Sequence, residues 1–205
     1  MGSKQGPSET AEITEALKRA TAALRGADVP FALAGSVAAW ARGGPAPCND
    51  LDFAIPEDAA DRAERALSDA GMHTERPPEG WLLKAWDGPV LIDLIWDLEG
   101  LGDVEALLDR AEEISVQAVR MPVLALDDVM VSKLCAFDEH ALDFAGALAV
   151  ARAVREQVNW RDVRERTGGS PYARGFIALL EELGVVTRGA VARGGEPRVR
   201  VVPGG

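Results

Sequence analysis

The segment Asp50-Leu51-Asp52-Phe53-Ala54-Ile55 alternates charged and apolar residues with a period of two, as a strand with one buried face does. Leu51 and Phe53 then share one side of the strand, and Asp50 and Asp52 share the other, about 7 Å apart by strand rise. Unpaired, the two carboxylates would repel and raise each other's pKa. A divalent cation between them gives the arrangement a physical purpose. Magnesium suits it best, being a hard ion that takes carboxylate oxygens together with substrate phosphates. A third acid, Asp93, lies between apolar neighbours in Val90-Leu91-Ile92-Asp93-Leu94-Ile95, where burial without a partner would be costly. If its strand neighbours the first, Asp93 completes a set of three metal ligands.

What surrounds these acids sets the fold class. Ile13, Leu17, Ala20 and Leu24 recur at helical spacing between Ser8 and Arg25, with Ser8 or Thr10 as a candidate N-cap and Gly26 as a stop. Val29-Pro30 resets the chain to extended, so residues 31–35 read as a short buried strand ending at Gly35. A helix is expected from Ser36, and a turn-rich stretch over 43–49 returns the chain to the Asp50 strand. Pro56-Glu57-Asp58 opens another helix that Gly71 ends. Residues 81–86 and 90–96 form an adjacent strand pair, followed by a short helix near 103–110 and a strand near 113–119. From Leu126 to Gly184 the pattern is almost wholly helical.

The expected architecture is therefore α+β: a small mixed sheet with flanking helices over residues 1–120, a helical subdomain over 121–185, and a basic tail over 186–205. That tail reads as a hairpin or a loose end.

Composition narrows the function. The 205 residues carry a net charge of −11, which argues against a general nucleic-acid binder. Residues 161–205 are nonetheless net +3, with Arg188, Arg193, Arg198 and Arg200 in the tail, so the acidity belongs to the first three quarters. No apolar run approaches the roughly 20 residues of a membrane span, and the N-terminus lacks the pattern of a secretory signal. A cytoplasmic location is the default expectation. Cys48 and Cys135 share no motif with each other or with a histidine, so neither a disulfide nor structural zinc is expected.

Gly35-Ser36 stands between a strand and a helix, and thirteen residues separate Ser36 from Asp50. A helix start offers unpaired backbone N–H groups, and a glycine lets a phosphate approach them. This combination of Gly-Ser, the D-L-D-F strand and a later strand aspartate resembles the nucleotidyltransferase superfamily typified by DNA polymerase beta. Within that superfamily the helical second half and Lys133 are most similar to the stand-alone bacterial AbiEii/MenT-type nucleotidyltransferases, although the sequence after the lysine, Glu139-His140-Ala141-Leu142-Asp143, departs from their pattern.

The resemblance implies that Asp50, Asp52 and Asp93 hold two Mg2+ ions, with Mn2+ as a substitute. It also implies that Gly35, Ser36 and Lys133 bind the phosphates of an NTP, and that a nucleoside monophosphate passes to an acceptor hydroxyl. The acceptor it suggests is the 3′ end of tRNA, which would make the protein the toxin of a toxin–antitoxin pair. An antibiotic of the aminoglycoside or lincosamide kind is the alternative, and a polycation would be drawn to the acidic body. A module that binds nucleotide or a partner without catalysis is the alternative of another class.

Each residue also has an ordinary reading. Gly35-Ser36 alone is a capped turn, and a lone Asp-x-Asp is a solvated strand edge or the manganese motif of a nucleotide-sugar glycosyltransferase. Asp93 is an acid in an ion pair, and Lys133 a surface lysine. His140 and Asp143 contact the base or acceptor, or form a local cap. Most of Trp40, Trp81, Trp86, Trp96 and Trp160 pack in the core, and Arg42 faces phosphate or solvent.

Overall fold

The computed structural model describes residues 7–47 and 50–188. Helix α1 (Pro7–Gly26) leads into β1 (Ala32–Leu33), α2 (Gly35–Ala41) and β2 (Asp50–Ala54). A 3-10 turn at Glu57–Ala59 opens α3 (Ala60–Asp69), which is followed by β3 (His73–Glu75), β4 (Leu82–Asp87) and β5 (Val90–Ile95). Then come α4 (Val104–Asp109), β6 (Glu112–Val116) and β7 (Val119–Val123). Four helices close the described chain: α5 (Leu126–Cys135), α6 (Phe144–Val154), α7 (Trp160–Arg166) and α8 (Pro171–Glu182).

The strands make one mixed sheet in the order β3-β4-β5-β2-β1-β7-β6. Parallel pairing joins β2 to β5 and β1 to β7, and the other neighbours run antiparallel. Alternation sorts the central strands as the sequence requires. Leu51, Phe53, Leu83, Ala85, Ile92 and Leu94 are fully buried on one face, which α1 and α3 cover with Leu17, Leu24, Ala63 and Leu67. The other face carries the acids, and α2 and α5 pack beside it. The mixed sheet with flanking helices is the architecture expected from the sequence. No described helix is long and apolar enough to cross a membrane.

Several elements differ from expectation, each for a local reason. The strand expected near 113–119 is the hairpin β6–β7, turned at Gln117 and Ala118 with φ of 49° and 66°. Such left-handed turns are usually announced by Asn-Gly or Gly-Gly, and Gln-Ala gives no such signal. Strand β3 is only three residues long and was not expected. The helix expected to run through His140 stops at Cys135. There Asp138 Oδ1 accepts from the N–H groups of His140 (2.7 Å) and Ala141 (2.8 Å), offering the backbone a turn in place of helix. Asp143 is the N-cap of α6, accepting from Gly146 N–H at 2.9 Å. The Ser8/Thr10 cap, Cys48 and a tail hairpin from 189 onward lie outside the described residues or side chains; Cys135 is a free thiol.

A buried ion cluster fastens the helical part to the sheet region. Asp128 on α5, 1% exposed, accepts from Arg110 at 2.7 and 2.8 Å and from Arg166 of α7 at 2.7 Å. Burial alone would push this carboxyl up, but the two guanidinium groups outweigh it and hold the group below its ordinary value. A folded-state pKa below the unfolded one adds stability above the unfolded value, and that stability is lost as pH falls through the folded one. Asp128→Ala should therefore cost roughly 2–3 kcal/mol at pH 7, short of the largest buried-pair losses because both arginines reach solvent. Urea denaturation at pH 7 and at pH 3 checks this, with the cost shrinking at the lower pH.

Candidate active site

Strand register assembles the three carboxylates. The parallel β2–β5 ladder pairs Asp52 with Asp93 and Asp50 with Leu91, so the acids of the two strands lie on one face, about one strand spacing apart. The antiparallel β4–β5 ladder places Lys84 opposite Asp93, and its ammonium lies 3.1 and 3.5 Å from the two Asp93 oxygens. Asp52, Asp93 and Lys84 thus form a row across three strands.

Gly35 sits against this row. The Ala34 N–H donates to the Asp52 backbone carbonyl at 2.8 Å, carrying the chain directly over β2 into α2. Gly35 has φ +56°, and a Cβ there would lie 1.8 Å from Asp52 Oδ2. Only glycine leaves that space to the carboxylate, and only glycine takes the backbone angle without strain. The hydroxyl oxygen of neighbouring Ser36 is buried and has no hydrogen-bond partner among the described residues, an unsatisfied donor at the start of α2.

The carboxyls are electrostatically strained. Burial, the charge of Asp50 and the charge of Asp93 push Asp52 up to about 7, against the smaller opposing pull of Lys133 and Lys84. Asp50 is raised as well, first by burial and then by Asp93, with its own backbone hydrogen bond and Lys133 acting the other way. Lys133, on α5, therefore lies within electrostatic reach of both β2 acids.

Hard oxygen donors that repel one another fit a divalent cation, and Asp50 and Asp52 are the two acids of the set that form no ion pair among the described residues. Asp93 is committed to Lys84. Among the described residues, no three His, Cys, Asp or Glu side chains form a ready-made metal cage.

Beside Asp52 a cleft of 320 Å3 opens between Ala34-Gly35, Trp81, Ile95, Asp97, Glu99, Ser132 of α5 and Ala136 just past its end. Trp81 is 41% exposed, more than a core-packing tryptophan would be. Asp97 and Glu99 form no ion pair among the described residues. The structure thus brings Asp50, Asp52, Asp93, Gly35, Ser36 and Lys133 to one place.

Other candidates fall elsewhere. Arg42 bonds Glu112 (3.0 Å) and the Val123 and Leu124 carbonyls (3.3 and 3.2 Å), which makes it a brace between α2 and β7. His73 lies 5.4 Å from the Trp86 ring, and His140 is exposed beside Glu139. Lys84 escaped the sequence reading, although a signal was present. A two-residue turn at Gly88-Pro89 pairs Asp87 with Val90, and counting back three pairs reaches Lys84 and Asp93.

No protein-family model matches the chain, and no curated protein matches it. Solved structures do. The solution structure of the antibiotic-resistance factor ANT(2'')-Ia aligns with a TM-score of 0.59 at 15% identity, covering 83% of this chain and 96% of that one. The same factor in complex with adenylyl-2''-tobramycin gives 0.53 at 12% identity, covering 81% and 97%. A protein from H. pylori taken to be a nucleotidyltransferase gives 0.51 at 14% identity, covering 91% and 86%. The chain has a nucleotidyltransferase fold. At these identities the likeness is one of architecture.

Two expectations follow from this geometry. Gly35→Ala should destabilise the protein by about 1–3 kcal/mol, because the new methyl must displace Asp52 and the left-handed backbone is strained; thermal melting measures it. Asp52 carries the opposite sign. Its folded-state pKa of about 7 exceeds the ordinary 3.8, so folding loses stability as pH rises from about 4 to 7. With EDTA present, Asp52→Asn should raise stability by at least about 1 kcal/mol at pH 8, a Tm gain of about 2–4 °C, and leave it little changed at pH 4.

Proposed function

We propose that this protein transfers a nucleoside monophosphate from an NTP to the hydroxyl of a small acceptor bearing amines. The observation that carries the reading is the row of Asp52, Asp93 and Lys84, with Asp50 on the same face, directly beneath the Gly35 turn. A non-catalytic binding module has no use for like charges pressed together at a glycine that a side chain would block.

In this reading Gly35 opens the backbone to the triphosphate, and the unpartnered Ser36 hydroxyl donates to a phosphate oxygen. Lys133 reaches from α5 to neutralise the outer phosphates. Asp50 and Asp52 would hold magnesium, with Asp93, the third carboxylate of the set, paired to Lys84 beside them. Bound there, magnesium supplies charge neutralisation at the phosphates and acidifies the acceptor hydroxyl. Transfer is a direct displacement at the alpha phosphorus, with pyrophosphate leaving and no covalent link to the protein.

Three features support a small amine-bearing acceptor. Trp81 offers an exposed ring face at the cleft, where a cation or a sugar ring packs well. Asp97 and Glu99 add negative charge at its rim, in a chain whose net charge is −11. The aligned ANT(2'')-Ia structure holds adenylyl-2''-tobramycin. The tRNA acceptor and the antitoxin partner rest on the sequence resemblance alone, and an acidic body repels RNA.

Incubation with alpha-labelled NTPs and Mg2+, with an aminoglycoside and lincosamide panel in one series and total tRNA in another, tests the reading. Label should move to a small molecule, and Asp52→Asn should reduce the rate at least 1000-fold. Equal backgrounds for wild type and variant in both series would defeat the enzymatic reading, and label on tRNA alone would replace the acceptor. Trp81→Ala should raise KM for the acceptor about tenfold while leaving KM for the NTP within twofold, which initial-rate kinetics in both substrates measures.

A further inference from the structure

The geometry points to Lys84 as a built-in cation that takes the place of a second divalent ion at Asp93, so that the site holds one exchangeable ion, on Asp50 and Asp52, rather than two. This rests on the metal-dependent reading above.

Lys84 Nζ lies 3.1 and 3.5 Å from the two oxygens of the same carboxylate, so it engages both rather than one. The lysine does not arrive from a mobile surface loop. Its backbone is paired residue for residue along the whole β4–β5 ladder, which fixes the stem directly opposite Asp93.

Shelter is the second consideration. The Asp93 side chain is 16% exposed and that of Lys84 30%, so water and salt screen the pair far less than they would a surface contact. An ion competing for the Asp93 oxygens would meet an ammonium already in contact with them, and would have to expel it from its place on the sheet face.

Charge points the same way. Three carboxylates, Lys84, Lys133 and one divalent ion already sum to +1 before nucleotide binds. A second divalent ion would raise the excess to +3 at half-buried groups, which is unfavourable where screening is weak.

Lys84 is on this view a positioning residue, and its test is a count of bound metal. Titration of the full-length protein with Mn2+, followed by loss of the free-ion electron paramagnetic resonance signal, should give one ion per chain for wild type. Lys84→Met keeps the apolar stem and removes the charge, and should raise the count to two. Lys84→Gln, run alongside, should do the same, so that a folding defect in one variant does not remove the test.

Two ions on wild type would overturn the proposal while leaving nucleotidyl transfer intact, as would a count of one in both folded variants. No bound Mn2+ in any of the three would fell this proposal together with the metal-dependent reading on which it rests.

Discussion

Like charges held side by side by backbone hydrogen bonds govern this molecule's open sheet face. The parallel ladder between β2 and β5 fixes Asp52 beside Asp93, and alternation adds Asp50 to the same side. No rotamer change separates groups whose Cα atoms are paired in a sheet. The repulsion has to be answered from outside the two strands. Lys84 answers part of it from β4 and Lys133 part from α5, and the remainder keeps the β2 carboxyls unusually basic. The rest of the fold supplies those answers: a hairpin that presents one lysine, a helix that presents the other, and a glycine that leaves room for an oxygen.

The helical half matters to the site through its anchorage. Helix α5 brings Ser132 to the cleft and Lys133 within electrostatic reach of the β2 acids, and it is anchored through Asp128, gripped by Arg110 and Arg166. Arg42 adds a further tie from the end of α2 to β7, and Gln157 in turn donates to the Arg42 carbonyl at 3.0 Å. The turn that carries Gly35 and the helix that carries Lys133 are thus braced by polar contacts remote from the acids themselves.

Much of this was legible in the sequence because it depends on period and local chemistry. Asp50 and Asp52 announce their face by alternation with Leu51 and Phe53, and Asp93 does the same among Ile92 and Leu94. Glycines and prolines bounded the first helices and strands closely. What stayed hidden depends on turns and side-chain pairings that period and residue type do not mark. The Gln117-Ala118 turn has no sequence mark, since its left-handed backbone is imposed by pairing of Ser115 with Arg120 and its neighbours. The early stop of α5 comes from an Asp138 side chain competing for backbone N–H groups, a choice that helix propensity alone does not reveal. Lys84 looked like any lysine until a strand was set beside it. Trp81 shows the limit of composition: five tryptophans are equivalent on paper, and only the fold sets this one at the mouth of the cleft.

The void where Gly35 lacks a side chain is filled by an oxygen of Asp52, so the two positions behave as one part cut in two. A drift to any larger residue at 35 must push the Asp52 carboxylate out of the space it now fills. A lineage that lost the glycine would keep its architecture while unseating the acid beside it.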